Sequence, residues 1–263
     1  SRGAGEYKQD FYYYPTNKLR IPVNKENVLK SGIVKPEDAD KIVDYIDITL
    51  PGAIDKARIV MLDILANNDW KRPIYFTGGS MDSAEYLWMK DYLQLDGLVY
   101  KLVPIKTPID KNNPYDMGRI DSELMYNIVK RWTWGNMGKE GIYLDPETRK
   151  NSIIFRGNLA RLTEQLIAEG KTAKASEIID IAMKNMPIDA YGYYFTLDPF
   201  IEGSYKVGKR EQARAIALQV IKKYQEELNY YTHLPASELS SNAKRIQYCI
   251  DRYGEVVMLS ETL

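Results

Sequence analysis

The sequence predicts an α-rich α+β fold, with a small sheet packed among helices in the N-terminal half and antiparallel helix pairs in the C-terminal half. Three observations predict it. Ile74–Thr77 and Leu98–Val103 are short apolar runs bounded by Pro73, two glycines, Gly97 and Pro104, the pattern of buried strands. From Asn151 onward the apolar spacing is helical throughout. A stretch beginning Gly170-Lys171 returns at Gly208-Lys209, 38 residues later. The expected division is a mixed α/β subdomain over 1–150, containing the Trp70–Phe76 strand run, and a helical subdomain over 151–263.

In the first half, Phe11-Tyr12-Tyr13-Tyr14-Pro15 reads as an edge strand or a docked segment, and Leu19–Val23 as an edge strand because of Pro22. Asn24 caps a short helix, Lys25 to Lys30, closed by Gly32. Pro36 opens another helix with Ala39, Ile42, Val43 and Ile46 on one face, and Ile48-Thr49-Leu50 is briefly extended. Ala53 to Asn67 is apolar on nearly all sides and is expected to be a central, buried helix. Met81 to Leu95 carries Met81, Ala84, Leu87, Trp88 and Leu95 at helical spacing between the two strands, which suggests a right-handed βαβ unit.

Between the first strand and this helix lies Thr77-Gly78-Gly79-Ser80. The glycines suit a tight turn, with Ser80 or Asp82 as a cap; the same backbone N–H groups suit an anion nest for a phosphorylated ligand. Asp110, Asn112 and Asp116 have the composition of a calcium loop but neither its spacing nor its terminal Glu. Ile120 to Trp132 reads as a helix running into Trp132-Thr133-Trp134-Gly135. The two Trp rings serve either as a core plug or as a stacking platform for a sugar or partner.

In the second half, Leu159, Leu162 and Leu166 line one helix, while Ala175, Ile179, Ala182 and Pro187 hold small, large, small and terminating positions of the next. This first copy resembles a tetratricopeptide repeat, with Thr163 where the repeat usually has Gly. In the second copy Ala213 and Ala217 are kept, Val220 replaces the later Ala, and Gln225 replaces the Pro. Pro235 to Tyr253 makes a last amphipathic helix of the kind that caps a solenoid.

Composition narrows the function. Lys plus Arg and Asp plus Glu each total 36, so the basic excess of a nucleic-acid binder is missing. The single cysteine, Cys249, excludes an internal disulfide and a cysteine zinc cluster. Tyrosine outnumbers phenylalanine 21 to 5, a bias suited to half-wet surfaces and interfaces. No run approaches the roughly eighteen apolar residues that span a bilayer, and no signal peptide is visible. Ser1–Gly5 reads as a loop or an artificial junction, so the chain is expected to be cut from a longer one. His233 is the sole histidine; it reads as a loop residue with no nucleophile beside it. No catalytic residue, metal site or cofactor is therefore expected.

The runs Ala66–Phe76, Tyr92–Pro104, Trp134-Gly135-Asn136 and Tyr143-Leu144-Asp145 together carry a resemblance. They resemble the C-terminal soluble region of large multi-spanning bacterial membrane proteins, a family of unknown function. Its membrane part is similar to protein O-mannosyltransferase-like glycosyltransferases. The resemblance implies a non-catalytic extracytoplasmic (periplasmic) accessory domain that binds a protein or glycan acceptor. It also implies that the catalytic acids lie in a membrane region preceding Ser1. Two alternatives stay open: a tetratricopeptide-like scaffold taking a peptide against groove tyrosines such as Tyr193 and Tyr194, and a small enzyme holding a phosphorylated ligand at Gly78, Gly79 and Ser80. The candidate binding residues are those five together with Trp132 and Trp134.

Overall fold

A computed structural model describes residues 16–50, 54, 56–77, 89–108 and 117–262. The described N-terminal region holds two small sheets and short helices, and the C-terminal region is helical. Strand β1 (Lys18–Pro22) pairs antiparallel with β2 (Tyr45–Thr49), placing Leu19 opposite Ile48 and Ile21 opposite Ile46. In β2 alternate residues are buried, so Ile46 and Ile48 face inward. On the outer face Arg20 Nε donates to Asp47 Oδ1 at 2.7 Å and the guanidinium lies over the Tyr45 ring. Helix α1 (Lys25–Lys30) begins where Asn24 Oδ1 accepts from the Asn27 N–H and ends at Gly32, whose φ of 69° suits glycine.

Three expectations fail in this region. The segment from Pro36 is a 3-10 helix ending at Lys41, and Ile46 lies in β2 rather than on a helical face. Apolar residues at i, i+3 and i+4 fit a strand as well when the run is short. Helix α2 (Lys56–Asn68) buries only Leu65 fully, while Ile59, Val60 and Ile64 are about half exposed at 51%, 54% and 51%. An apolar surface on all sides names no direction for the core, and here one stripe alone is covered. The βαβ reading also fails, because its two strands are antiparallel; Met81 to Trp88 of the expected helix lie outside the described residues. Strand β3 (Tyr75–Thr77) runs antiparallel to β5 (Val99–Leu102), with Phe76 opposite Tyr100, in a sheet of order β3-β5-β4. Residues 89–92 form a 3-10 turn and Leu93–Asp96 forms β4, buried along its whole length. Leu95 belongs to this strand, and Gly97 at φ 73° reverses the chain into β5. The reversal makes a hairpin where a helix was expected to end.

The Asn67–Phe76 run has a structural task. Asp69 and Trp70 both take left-handed conformations, with φ of 46° and 59°, costly for residues with a Cβ. Side-chain hydrogen bonds hold them: Asn27 Nδ2 donates to Asp69 Oδ2 at 2.9 Å, and Trp70 Nε1 donates to the Pro22 carbonyl at 2.9 Å. The turn is thus fastened to α1 and β1.

The chain divides into two compact units, 1–94 with 99–119 and 95–98 with 120–263. The second contains α3 (Ser122–Val129), α4 (Pro146–Ala168), α5 (Thr172–Asn185), α6 (Ile188–Tyr191), α7 (Asp198–Lys206), α8 (Arg210–Thr232), α9 (Ala236–Ser241) and α10 (Ala243–Thr262). Asp121 and Asp145 cap α3 and α4 through the Leu124, Glu147 and Thr148 N–H groups. Helix α4 packs on α5, α7 on α8, and α8 on α10.

The two Gly-Lys turns have the same hydrogen bonding. Lys171 N–H bonds the Leu166 carbonyl and Lys209 N–H bonds the Ser204 carbonyl, both at 2.8 Å. Gly170 and Gly208 take φ of 73° and 83°, the left-handed helix ending that spares glycine a Cβ clash. Ala175 and Ala213 are both fully buried four residues after these lysines. Thr163, where a repeat would carry Gly, turns its hydroxyl onto the Leu159 carbonyl at 2.8 Å. The small residue sits across from it instead: a Cβ on Gly203 of α7 would meet Thr163 Cγ2 at 3.2 Å and Ile179 Cδ1 at 3.3 Å.

Candidate functional site

Tyr193 and Tyr194 lie in an open cleft of about 320 Å3 within the helical unit. They follow α6 in a sharp turn, where Gly192 has φ 68° and Tyr193 has φ 49°. A left-handed tyrosine is uncommon and costs of order 1 kcal/mol. The turn is held from behind by Arg156 of α4. Its guanidinium donates to the Gly192 carbonyl at 2.6 Å and to the Met186 carbonyl at 2.8 Å. Arg156 is fully buried, lies over the Tyr191 ring, and leaves its Nε without a partner. No carboxylate among the described residues pairs with it. Burial accordingly draws its pKa down to about 10, against the opposing influence of Tyr191 and Tyr194.

The other walls come from α8 and α10. Tyr224 and Glu227 are three residues apart on α8, and Arg245 and Tyr248 three apart on α10, so each pair shares a helix face. Glu227 receives Arg245 in a bidentate pair at 2.6 and 2.8 Å, and the same guanidinium lies 5.1 Å from the Tyr248 ring centroid. Tyr194 packs edge-on to Tyr224 with centroids 5.6 Å apart, and Tyr193 edge-on to Phe195 at 6.3 Å. Burial raises the phenol pKa of Tyr191, Tyr194 and Tyr224, so these hydroxyls stay protonated, and that of Tyr191 donates to the Met137 carbonyl. Arg149, at the start of α4, completes the lining.

The remaining candidates lie elsewhere. Trp132 and Trp134 stand edge-on at 5.4 Å and both pack against Phe155. Trp132 also covers Gly97, where an added Cβ would meet its Cζ2 at 3.0 Å. Their rings are thus engaged with one another and with the backbone. Gly78, Gly79 and Ser80 lie outside the described residues, as do Asp110, Asn112 and Asp116. His233 is exposed at the end of α8, its Nδ1 2.8 Å from the Asn229 carbonyl. Cys249 is buried, and burial lifts its thiol to about 11; an inert thiol results. Among the described residues no group of three or more His, Cys, Asp or Glu is placed to hold a metal ion, and no helix is long and apolar enough to cross a membrane.

Of the residues in and behind this cleft, the sequence singles out Tyr193 and Tyr194 and gives no such sign for Arg149, Arg156, Glu227, Arg245 or Tyr248. For Glu227, Arg245 and Tyr248 the one local signal is the i,i+3 pairing of tyrosine with charge on α8 and α10; Arg149 and Arg156 on α4 carry none. That signal does not say which helix faces meet.

Residues 3–124 match the family model of TMEM260-associated domain 2. The matched stretch includes the Trp70–Phe76 run and the β4–β5 hairpin, and it ends within α3. The cleft residues, Arg149 to Tyr248, lie beyond it. No curated protein and no solved structure gives a significant match.

Proposed function

We propose that this chain is a recognition domain, accessory to a membrane protein and placed on its extracytoplasmic face, which binds a protein or glycan acceptor in the tyrosine cleft. The similarity of residues 3–124 to a domain named for its association with TMEM260 supports the accessory role. The resemblance to the soluble region of glycosyltransferase-like membrane proteins supports the side of the membrane. The observation that carries binding is the cleft itself: six aromatic rings, two arginines and Glu227 around about 320 Å3, a size and lining suited to a small ligand or a short stretch of a larger one.

A second reading is a tetratricopeptide-like peptide scaffold, favoured by the matching turns at Gly170 and Gly208. Binding to glycan and peptide arrays, with Tyr193→Ser and Tyr194→Ser variants beside the unaltered chain, tests both. A recognition cleft requires at least one acceptor class whose signal falls in the variants. Equal signal from variants and unaltered chain overturns it, and a cleft-dependent signal confined to peptides unrelated to any membrane partner favours the scaffold. A fused reporter active only outside the cytoplasm, attached in the intact protein, checks the side.

A further inference from the structure

Resting on the cleft as the binding site, we infer that its ligand is a sugar ring carrying one carboxylate, of the hexuronate type. Charge sets the sign of the ligand. Arg245 and Glu227 neutralise each other in their bidentate pair, and Lys223 nearby is taken up by Asp189 and Glu226 at 2.8 and 3.0 Å. Two positive groups remain. Arg149 lines the cleft and makes no ion pair with any described residue. Arg156 lies behind the Tyr191–Gly192 wall, fully buried, with no carboxylate and an unpartnered Nε. A buried cation without a counter-charge is costly and projects its field over a short range of low dielectric. A single anion entering the cleft gains from both arginines and meets no unpaired acid.

The body of the ligand follows from the rest of the lining. Tyr193, Tyr194, Phe195 and Tyr248 offer ring faces and edges, which take the C–H surface of a saccharide ring. The Tyr193 and Tyr194 hydroxyls and the Glu227–Arg245 pair provide donors and acceptors for its hydroxyl groups. The lining contains no Asn, Gln, Ser or Thr, so its polar contacts come from Arg149, the tyrosine hydroxyls and the Glu227–Arg245 pair. A volume of about 320 Å3 lies at the small end of ligand sites, room for one or two rings. The left-handed Tyr193 adds strain at the rim, a feature that clusters at ligand clamps.

Solution NMR of the whole chain titrated with methyl β-glucuronide, methyl β-glucoside and an acidic aromatic peptide tests this. The expected result is saturable movement of the Tyr193 and Tyr194 ring signals with the glucuronide, with the neutral glucoside weaker by about ten-fold, the scale of one charge-assisted contact. Arg149→Gln, an exposed change that leaves the fold intact by circular dichroism, should reduce that ten-fold preference to near unity. Equal response to the neutral glucoside, no response to the glucuronide, or tighter binding of the peptide overturns the inference. If the glucuronide fails while Tyr193→Ser and Tyr194→Ser still abolish acceptor binding on the arrays, the recognition role stands and only the ligand class falls.

Discussion

The two copies of the Gly-Lys turn lead into helices of different fate. Helix α5, after the first, has 14 residues and stops before Pro187, while α8, after the second, has 23 and runs on through Gln225 to Thr232. Up to that position they correspond closely: Ala175 with Ala213, Ile179 with Ala217 and Ala182 with Val220, all fully buried. Beyond it α8 gains more than two turns, and the extension holds Glu227 against Arg245 beside Tyr224, which packs on Tyr194. The second copy's longer helix therefore supplies one wall of the cleft, Tyr224 and Glu227, while Arg149 and Tyr191 to Phe195 come from the side of the first copy. Positions near the turn are filled by buried packing residues in both copies, whereas the extension of α8 places Glu227 on the cleft wall.

Restoring the stop is the strongest way to break this contrast. Gln225→Pro removes a helical hydrogen bond and clashes with the preceding turn, at a cost of about 3 kcal/mol or more. Urea denaturation should show that loss, and circular dichroism should show helix lost beyond Tyr224. An unchanged midpoint would mean that the extension contributes no stability.

The shared packing comes next. Gly203→Val places methyls where Thr163 and Ile179 already stand within 3.3 Å of a Cβ, and overpacking of this kind costs about 1–3 kcal/mol. A matching loss of stability in thermal melts is expected; a variant as stable as the original would show that α4 and α7 separate easily.

A pH-dependent effect should separate the two turns further. Glu169, beside the first turn, is pushed up by burial, but hydrogen bonds from Lys171, Ser122 and Gln165 outweigh this and hold it at about 2 against its ordinary 4.5. A carboxylate lowered in the folded state stabilises above its unfolded pKa and loses that contribution as pH falls through the folded one. Glu169→Gln should therefore be less stable than the original above pH 4.5, and the difference should close between about 4.5 and 2. The second turn has Val207 at the corresponding place before Gly208, with no proton to exchange. Any stability difference made by Val207→Gln should stay constant over that range.

The smallest effect on stability is expected at the rim. Tyr193→Gly relieves the left-handed φ by about 1 kcal/mol and gives up an edge contact worth about 0.5–1.5 kcal/mol. Net stability by urea should move by less than about 1 kcal/mol, while acceptor binding is lost. A large drop in stability would make Tyr193 a packing residue and weaken its place in the cleft.

Much of the fold was legible locally. Asn24, Gly32, Gly170 and Gly208 mark ends because capping and left-handed turns depend on one or two residues. Misreadings arose where one pattern served two geometries. Leu95 matches helical spacing from Leu87 and Trp88 yet lies in β4, and Ile46 matches Ala39 and Ile42 yet pairs with Ile21. Of the cleft, Tyr193 and Tyr194 drew notice by composition, but Arg156 reads in sequence as an ordinary helix charge and only its surroundings make it buried.

By itself the sequence determined the helix-rich class, the small strands, the repeated turn and the lack of any basic excess or cysteine framework, because each depends on neighbouring residues or on totals. The tertiary structure alone decided that the β3–β5 pairing is antiparallel, that α2 keeps a half-exposed apolar side, and that Arg149, Glu227, Arg245 and Tyr248 share one cleft with Tyr193. Those facts depend on which helix and strand faces meet across tens of residues, and no local periodicity contains that choice.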